Sequence, residues 1–294
     1  MDSAWRLFLG TNLVLVLVLL CVECHRKNGE PPKDKPRLTA SVSMRDETFH
    51  SAALDRAMPY RVVFPENIAP NQKLQVVYLL HGAGGDFREW SNSSDVAQFA
   101  ERGFLLVMPE GASSYYTNSV GHPQDRYEDY IVNDLRADVE SKFPVATGRT
   151  NRAIVGISMG GFGAVKIGLH HPELYSFVGG MSSALDVPRR SFSFKRFQQS
   201  RHYREIFGPT GGQGRLDNDP FVLLRKAVPE GAPYFFLTCG AQEGLLPANR
   251  EFAAILERRH FQSEFHVVPG GHDWNQWNAD LPKVFEGLLE RMGH

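Results

Sequence analysis

Gly156-Ile157-Ser158-Met159-Gly160 constrains this chain more than any other stretch. The apolar run Arg152-Ala153-Ile154-Val155-Gly156 before it suits a buried strand. The small residues from Gly160 to Leu169 after it suit a helix that packs close to a sheet. A G-x-S-x-G pentad between such a strand and helix reads as a sharp turn that lifts its serine above the sheet edge. The flanking glycines fit because a Cβ there would meet neighbouring backbone. A helix N-terminus aimed at Ser158 favours negative charge developing beside it.

The rest of the chain repeats this rhythm. Buried strands are expected at Leu74–Leu80, Phe104–Met108, Phe177–Met181, Tyr234–Thr238 and Phe265–Val268. Helices are expected over Tyr127–Phe143, Glu251–Arg259 and Leu281–Met292, the first with Tyr130, Ile131, Leu135, Val139 and Phe143 along one face. Alternation of this kind predicts an α/β fold, a mostly parallel sheet covered on both faces. Residues 186–232 break the rhythm, with cations first, then Phe and Gly, and no strand pattern. Two readings stay open there, a lid inserted over the site and a surface excursion.

The N-terminus is a separate region. Arg6 precedes an unbroken apolar core from Leu13 to Val22, short of the roughly 20 residues that span a bilayer. Residues 1–24 therefore read as a secretory signal peptide cleaved before His25, with an uncleaved anchor as the alternative. Residues 25–37, rich in Pro and Lys, read as a linker, and 38–294 as the catalytic domain. The expected location is secreted or periplasmic, with no stable membrane association after cleavage. Of three cysteines, only Cys239 would then remain, in an apolar strand, where it reads as buried and non-catalytic.

A serine hydroxyl needs a base to take its proton. Of eleven histidines, His272 lies in the Gly-rich loop Pro269-Gly270-Gly271-His272-Asp273-Trp274, directly after the last apolar strand. That is where the serine–acid–histidine chain order places the base. Glu243 is the sole carboxylate in the loop after the strand at 234–240 and is the first candidate for the acid. Asp186 is the fallback, while Asp273 points away. The N–H of Met159 and one from His81-Gly82-Ala83-Gly84-Gly85 would bind an oxyanion, with Ala83 chosen over Gly82 and Gly84. Trp274, Trp277, Ser114 and Tyr115 are candidate substrate contacts, packing or solvent exposure being the alternative for each.

Net charge is −1 with no basic tract, which argues against nucleic acid as partner. No zinc-protease, cysteine-pair or phosphate-loop pattern occurs, so no metal, nucleotide or other cofactor is expected.

Three separated motifs carry a resemblance: Val77 to Gly85, Gly156 to Ala164, and Pro269 to Trp277 with its Asn275 and Gln276. Over about residues 45 to 292 the chain resembles an α/β-hydrolase esterase family. That family includes tributyrin esterases, S-formylglutathione hydrolases, feruloyl esterases and mycolyltransferases of the antigen 85 type. Ser114-Tyr115-Tyr116 and the run Tyr127 to Leu135 look most like the tributyrin type. The resemblance implies Ser158 as nucleophile, His272 as base, Glu243 as acid, and Ala83 and Met159 as oxyanion donors. It also implies a serine esterase acting on short-chain acyl esters through an acyl-enzyme. Alternatives are a feruloyl or acetyl esterase on plant cell-wall carbohydrate esters, an acyltransferase, and a non-catalytic binding module. The family usually has Asp where this chain has Glu243. The loop at 81–85 lacks the cysteine of the glutathione-ester subgroup.

Overall fold

The computed structural model describes residues 34–292. Residues 1–24, read as a signal peptide, and most of 25–37, read as a linker, lie outside the described residues.

Eight strands form one sheet: β1 (Val42–Ser51), β2 (Arg56–Pro65), β3 (Gln75–Leu80), β4 (Phe104–Pro109), β5 (Arg152–Ile157), β6 (Phe177–Met181), β7 (Tyr234–Gly240) and β8 (Ser263–Val268). Their order is β1-β2-β4-β3-β5-β6-β7-β8. The pairs β1–β2 and β2–β4 are antiparallel and the rest parallel. The six strands expected from apolar runs appear, Phe177–Met181 as read and the others with an end shifted by one or two residues, but Ser263–Val268 is an edge strand and is half-buried rather than buried. β1 and β2 form no continuous apolar run. β1 is an edge strand, and its VSMRDETFHS has charged positions facing solvent.

Central strands are buried on both faces, so alternate residues enter two separate apolar layers. Val76, Tyr78 and Leu80 join one, and Val77 and Leu79 the other. The first layer is completed by the helices Met159–His170 and Leu246–Arg258. The second is completed by Trp90, Ala97 and the helix Trp274–Met292. The segment read as a helix over 127–143 is helical to Lys142, but Tyr130–Leu135 winds as a π-turn, a local widening that periodicity does not reveal. Among the described residues no helix is long and apolar enough to cross a membrane.

Residues 186–232 contain no strand and form 3₁₀ turns and the helices Phe197–Phe207, Gln213–Asp217 and Pro220–Lys226. Tyr203, Phe207, Phe221 and Leu224 are buried in the main core, which makes most of this segment integral to the fold. Residues 191–197 are different and project into solvent, apart from half-buried Ser193.

Candidate active site

All parallel strands end on one edge, and the loops leaving that edge carry the candidate residues. Ser158 follows β5 with φ 53° and ψ −109°, a conformation that costs an L-residue roughly 1–3 kcal/mol. Its surroundings hold it there. Its N–H donates to Met181 O at 2.9 Å, and its carbonyl accepts from Phe162 N at 3.0 Å and Ala184 N at 3.1 Å. The turn depends on the missing Cβ of Gly160: one placed there would lie 2.1 Å from Leu80 O. The helix Met159–His170 thus starts directly against β3, with its first N–H groups beside the serine.

Ser158 Oγ lies 2.8 Å from His272 Nε2, and His272 Nδ1 lies 2.7 Å from Glu243 Oε2. A carboxylate only accepts, so Nδ1 carries the ring proton and Nε2 presents its lone pair to the serine hydroxyl. Glu243 is buried. Its Oε1 accepts from Gly240 N at 2.8 Å and Ser182 Oγ at 2.6 Å, leaving Oε2 for the imidazole. The extra methylene of a glutamate folds back over its own turn, and Gly240 leaves room for it. A Cβ on Gly240 would stand 2.6 Å from Glu243 Oε1.

Asp186, the fallback acid, is engaged with Arg190 at 2.8 and 3.0 Å. Asp273 instead caps the last helix, its Oδ1 accepting from Asn275 N and Gln276 N. Cys239 is free and buried, and burial pushes its thiol up to about 12.

The loop after β3 closes on the serine: a Cβ on Gly82 would lie 3.8 Å from Ser158 Cβ. The Gly82 N–H is already donated to Glu89 Oε2 at 3.0 Å, so it is not available to an oxyanion. Ala83 is exposed at the tip of this loop. His81 is fully buried and locks the loop. Its Nε2 accepts from Gly111 N at 2.9 Å, so its Nδ1 donates to Gly82 O at 2.8 Å.

The substrate-contact candidates divide. Trp277 is buried, stands edge-on to His272 at 5.1 Å, and donates its indole N–H to Ser182 Oγ at 2.9 Å. Trp274 is half-buried between Trp90 and Trp277, its N–H 3.3 Å from Glu89 Oε1. Tyr115 is packed by Phe162, Tyr203 and Phe207, and its hydroxyl meets that of Tyr203. Ser114 spends its hydroxyl on Gly111 O and Tyr116 N. It lines a cavity of about 300 Å³ with Arg56, His122, Asp125, Tyr127 and His202, among others, and Ser158 is not part of that lining.

Three residues with local roles were not singled out by the sequence. Ser182 sits after β6 with φ 49°, and its N–H donates to Thr238 O. Its hydroxyl links Trp277 to Glu243, a role set by neighbouring strands and invisible along the chain. Glu89 is held partly buried, which raises its carboxyl above the usual range. Lys166, on the elbow helix, is fully buried with its ammonium 2.6 Å from Glu128 Oε2. It also donates to Tyr116 O at 2.8 Å and Thr117 Oγ1 at 3.0 Å, securing a loop in which Tyr115 and Tyr116 both take positive φ. His170 and His171 bond the other Glu128 oxygen. Glu128, His170 and His171 have metal-ligand spacing, but the Lys166 ammonium already supplies the cation this carboxylate needs.

A serine on a strained strand-to-helix turn, bonded to a histidine and a buried carboxylate at the ends of later parallel strands, defines an α/β-hydrolase of the serine-hydrolase class. The family described as Putative esterase matches residues 51–288. The chain belongs to that family and is a carboxylic ester hydrolase. Among its relatives, the acetyl esterase of Caldicellulosiruptor saccharolyticus is 26% identical over 225 residues, covering 74% of this chain and 84% of that protein. The diacylglycerol acyltransferase/mycolyltransferase Ag85A of Mycobacterium leprae is 24% identical, covering 74% of this chain and 75% of its own. The same fold occurs in the fluorophosphonate-binding serine hydrolase F of Staphylococcus aureus. There the TM-score is 0.73 at 23% identity, covering 86% of this chain and 99% of that one.

Proposed function

We propose that this protein hydrolyses short-chain acyl esters through an acyl-enzyme on Ser158, with His272 as base and acid and Glu243 as the orienting carboxylate. The observation that carries the reading is the unbroken line Ser158 Oγ–His272 Nε2, His272 Nδ1–Glu243 Oε2 at 2.8 and 2.7 Å. Ser158 Oγ attacks the ester carbonyl as its proton passes to Nε2, and Glu243 stabilises the imidazolium. The tetrahedral oxyanion is held by the N–H groups of Met159 and Ala83. The C–O bond breaks as Nε2 gives its proton to the departing alcohol. Water then attacks the acyl-enzyme, losing a proton to Nε2, which passes it to Ser158 Oγ as the acid leaves.

A short acyl group fits the name of the acetyl esterase relative. A carbohydrate ester remains the alternative substrate, Trp274 offering a half-exposed face beside the site. Hydrolysis is the reading taken over transfer because the His272 side chain keeps 40% of its surface exposed, which leaves the base on an open side of the site. The Trp277 ring supports the imidazole, and Tyr115 and Ser114 shape the neighbouring loop. In the same reading, residues 1–24 direct export to a secreted or periplasmic site.

The test is turnover of p-nitrophenyl esters of graded acyl length by wild type and Ser158→Ala. Activity should peak at short chains and vanish in the variant. Undiminished turnover by Ser158→Ala would sink the assignment, and a folded wild type inert on every ester would favour a binding module.

A further inference from the structure

The projecting residues 191–197 have no part in the chemistry above, yet they carry the most exposed large apolar side chain among the described residues. Phe194 is 86% exposed, and Phe192 and Phe197 are each 50% exposed. The three rings form one cluster, Phe192 standing edge-on to Phe194 at 5.0 Å and to Phe197 at 6.0 Å. Three aromatic side chains kept together in water are costly unless something covers them.

The segment is built to hold them outward. Ser193 N donates to Ser200 Oγ at 3.0 Å, and Arg196 N donates to Ser193 O at 3.1 Å. Buried Arg215 ties the preceding strap by bonding Pro188 O at 3.0 Å and Arg190 O at 2.9 Å. That strap leaves the sheet beside Ala184, whose N–H bonds Ser158 O. The strap that carries the cluster therefore starts on the same sheet edge as the candidate active site.

The charge around it is one-sided. From Val187 to Arg204 there are six Lys and Arg and no Asp or Glu. Arg189, Arg190 and Arg201 are paired with Asp219, Asp186 and Glu205. Lys195, Arg196 and Arg204 have no ion pair among the described residues, and all three are exposed. Arg204 follows Phe197 by seven residues on the helix Phe197–Phe207, which puts it on the same face.

We propose that Phe192, Phe194 and Phe197, with Lys195, Arg196 and Arg204 around them, dock the protein on an anionic lipid membrane, the rings entering the headgroup region. Rings flanked by cations match a surface that is anionic outside and apolar beneath. A second copy would bring the same cations together with no acid between them. A soluble polyanion would meet the charge and leave the rings in water. Peripheral docking needs no spanning helix and is independent of the proposed chemistry.

Every described strand and both apolar layers lie within the unit Pro36–His294, so that chain retains the fold and excludes the apolar N-terminus from the measurement. It should cosediment with phosphatidylcholine vesicles containing phosphatidylserine, less with phosphatidylcholine alone, and less at high salt. Each cation contributes about fivefold near an anionic leaflet, so Lys195→Glu with Arg196→Glu should weaken partitioning at least tenfold. Replacing the three Phe by Ser should do the same without lowering Tm. A Phe194→Trp reporter should shift its emission to the blue on vesicles and be quenched by brominated lipid. Equal partitioning by wild type and the Ser variant overturns the proposal, as does equal binding of both to heparin with none to vesicles. Self-association of wild type abolished by the Ser substitutions would instead assign the surface to a second copy.

Discussion

Glu243→Gln isolates the role of the acid because the structure dictates how the new amide must sit. Glu243 Oε1 accepts from Gly240 N–H at 2.8 Å and from Ser182 at 2.6 Å. A backbone N–H cannot face an NH₂ group, so the glutamine oxygen takes the Oε1 position. A flipped amide would set two buried donors against each other, at a cost of about 1–3 kcal/mol. The NH₂ therefore occupies the Oε2 position, 2.7 Å from His272 Nδ1. Nδ1 must then accept, the ring proton moves to Nε2, and Nε2 points an N–H at Ser158 Oγ instead of a lone pair. The serine loses its base while the packing is unchanged. The expected fall in kcat is about 10⁴-fold, equivalent to about 5.4 kcal/mol, with KM nearly constant and stability within about 1 kcal/mol of wild type. Steady-state kinetics on a short p-nitrophenyl ester, beside urea unfolding, reads all three quantities. A fall of less than tenfold with the fold intact would refute the tautomer reasoning and remove Glu243 from the acid role.

Ser182→Ala removes one of two donors to Glu243 Oε1 and the acceptor of the Trp277 indole, so kcat should fall about 10- to 100-fold. KM should hold in that variant because Ser182 lies behind the acid, which steady-state kinetics will show. Gly160→Ala forces a Cβ to within 2.1 Å of Leu80 O and should cost about 3 kcal/mol or prevent soluble expression, read by thermal unfolding. Burial alone would raise the Glu128 carboxyl, but Lys166 and the two histidines hold it well below the usual range. Its stabilising contribution is complete above about pH 4.5 and is lost as pH falls through the depressed folded value. The Glu128 bond raises His171, whose contribution is complete below about pH 6.5 and is lost as pH rises through the folded value. Glu128→Gln should flatten both limbs of the urea-unfolding stability profile and cost about 3–5 kcal/mol at neutral pH, since it strands a buried ammonium.

The parts of this structure legible in the sequence are those whose cause is local. Gly156 and Gly160 announce the turn at Ser158 because backbone contact there forbids a side chain. The parallel strands β3 to β7 are legible because two-sided burial makes them continuously apolar, while the edge strand β8 is half-buried and shows only the short run Phe265–Val268. His272 and Glu243 follow from loops directly after such strands. β1 and β2 lack that signal because β1 is an edge strand with charges toward water. Ser182, Glu89 and Lys166 were not legible for another reason. Each acts across strands or helices on a group distant in the chain, and neither spacing nor composition records that distance. The π-turn at Tyr130–Leu135 preserves the helical pattern of apolar residues and so leaves no trace in it.

The measurement that bears most directly on Ser158 as nucleophile is covalent labelling with a fluorophosphonate, read by peptide mass spectrometry. Wild type should carry a single adduct on the peptide containing Ser158, with no adduct in Ser158→Ala and much slower labelling in His272→Ala. An adduct on a different serine, or equal labelling of Ser158→Ala, would contradict the assignment of the site.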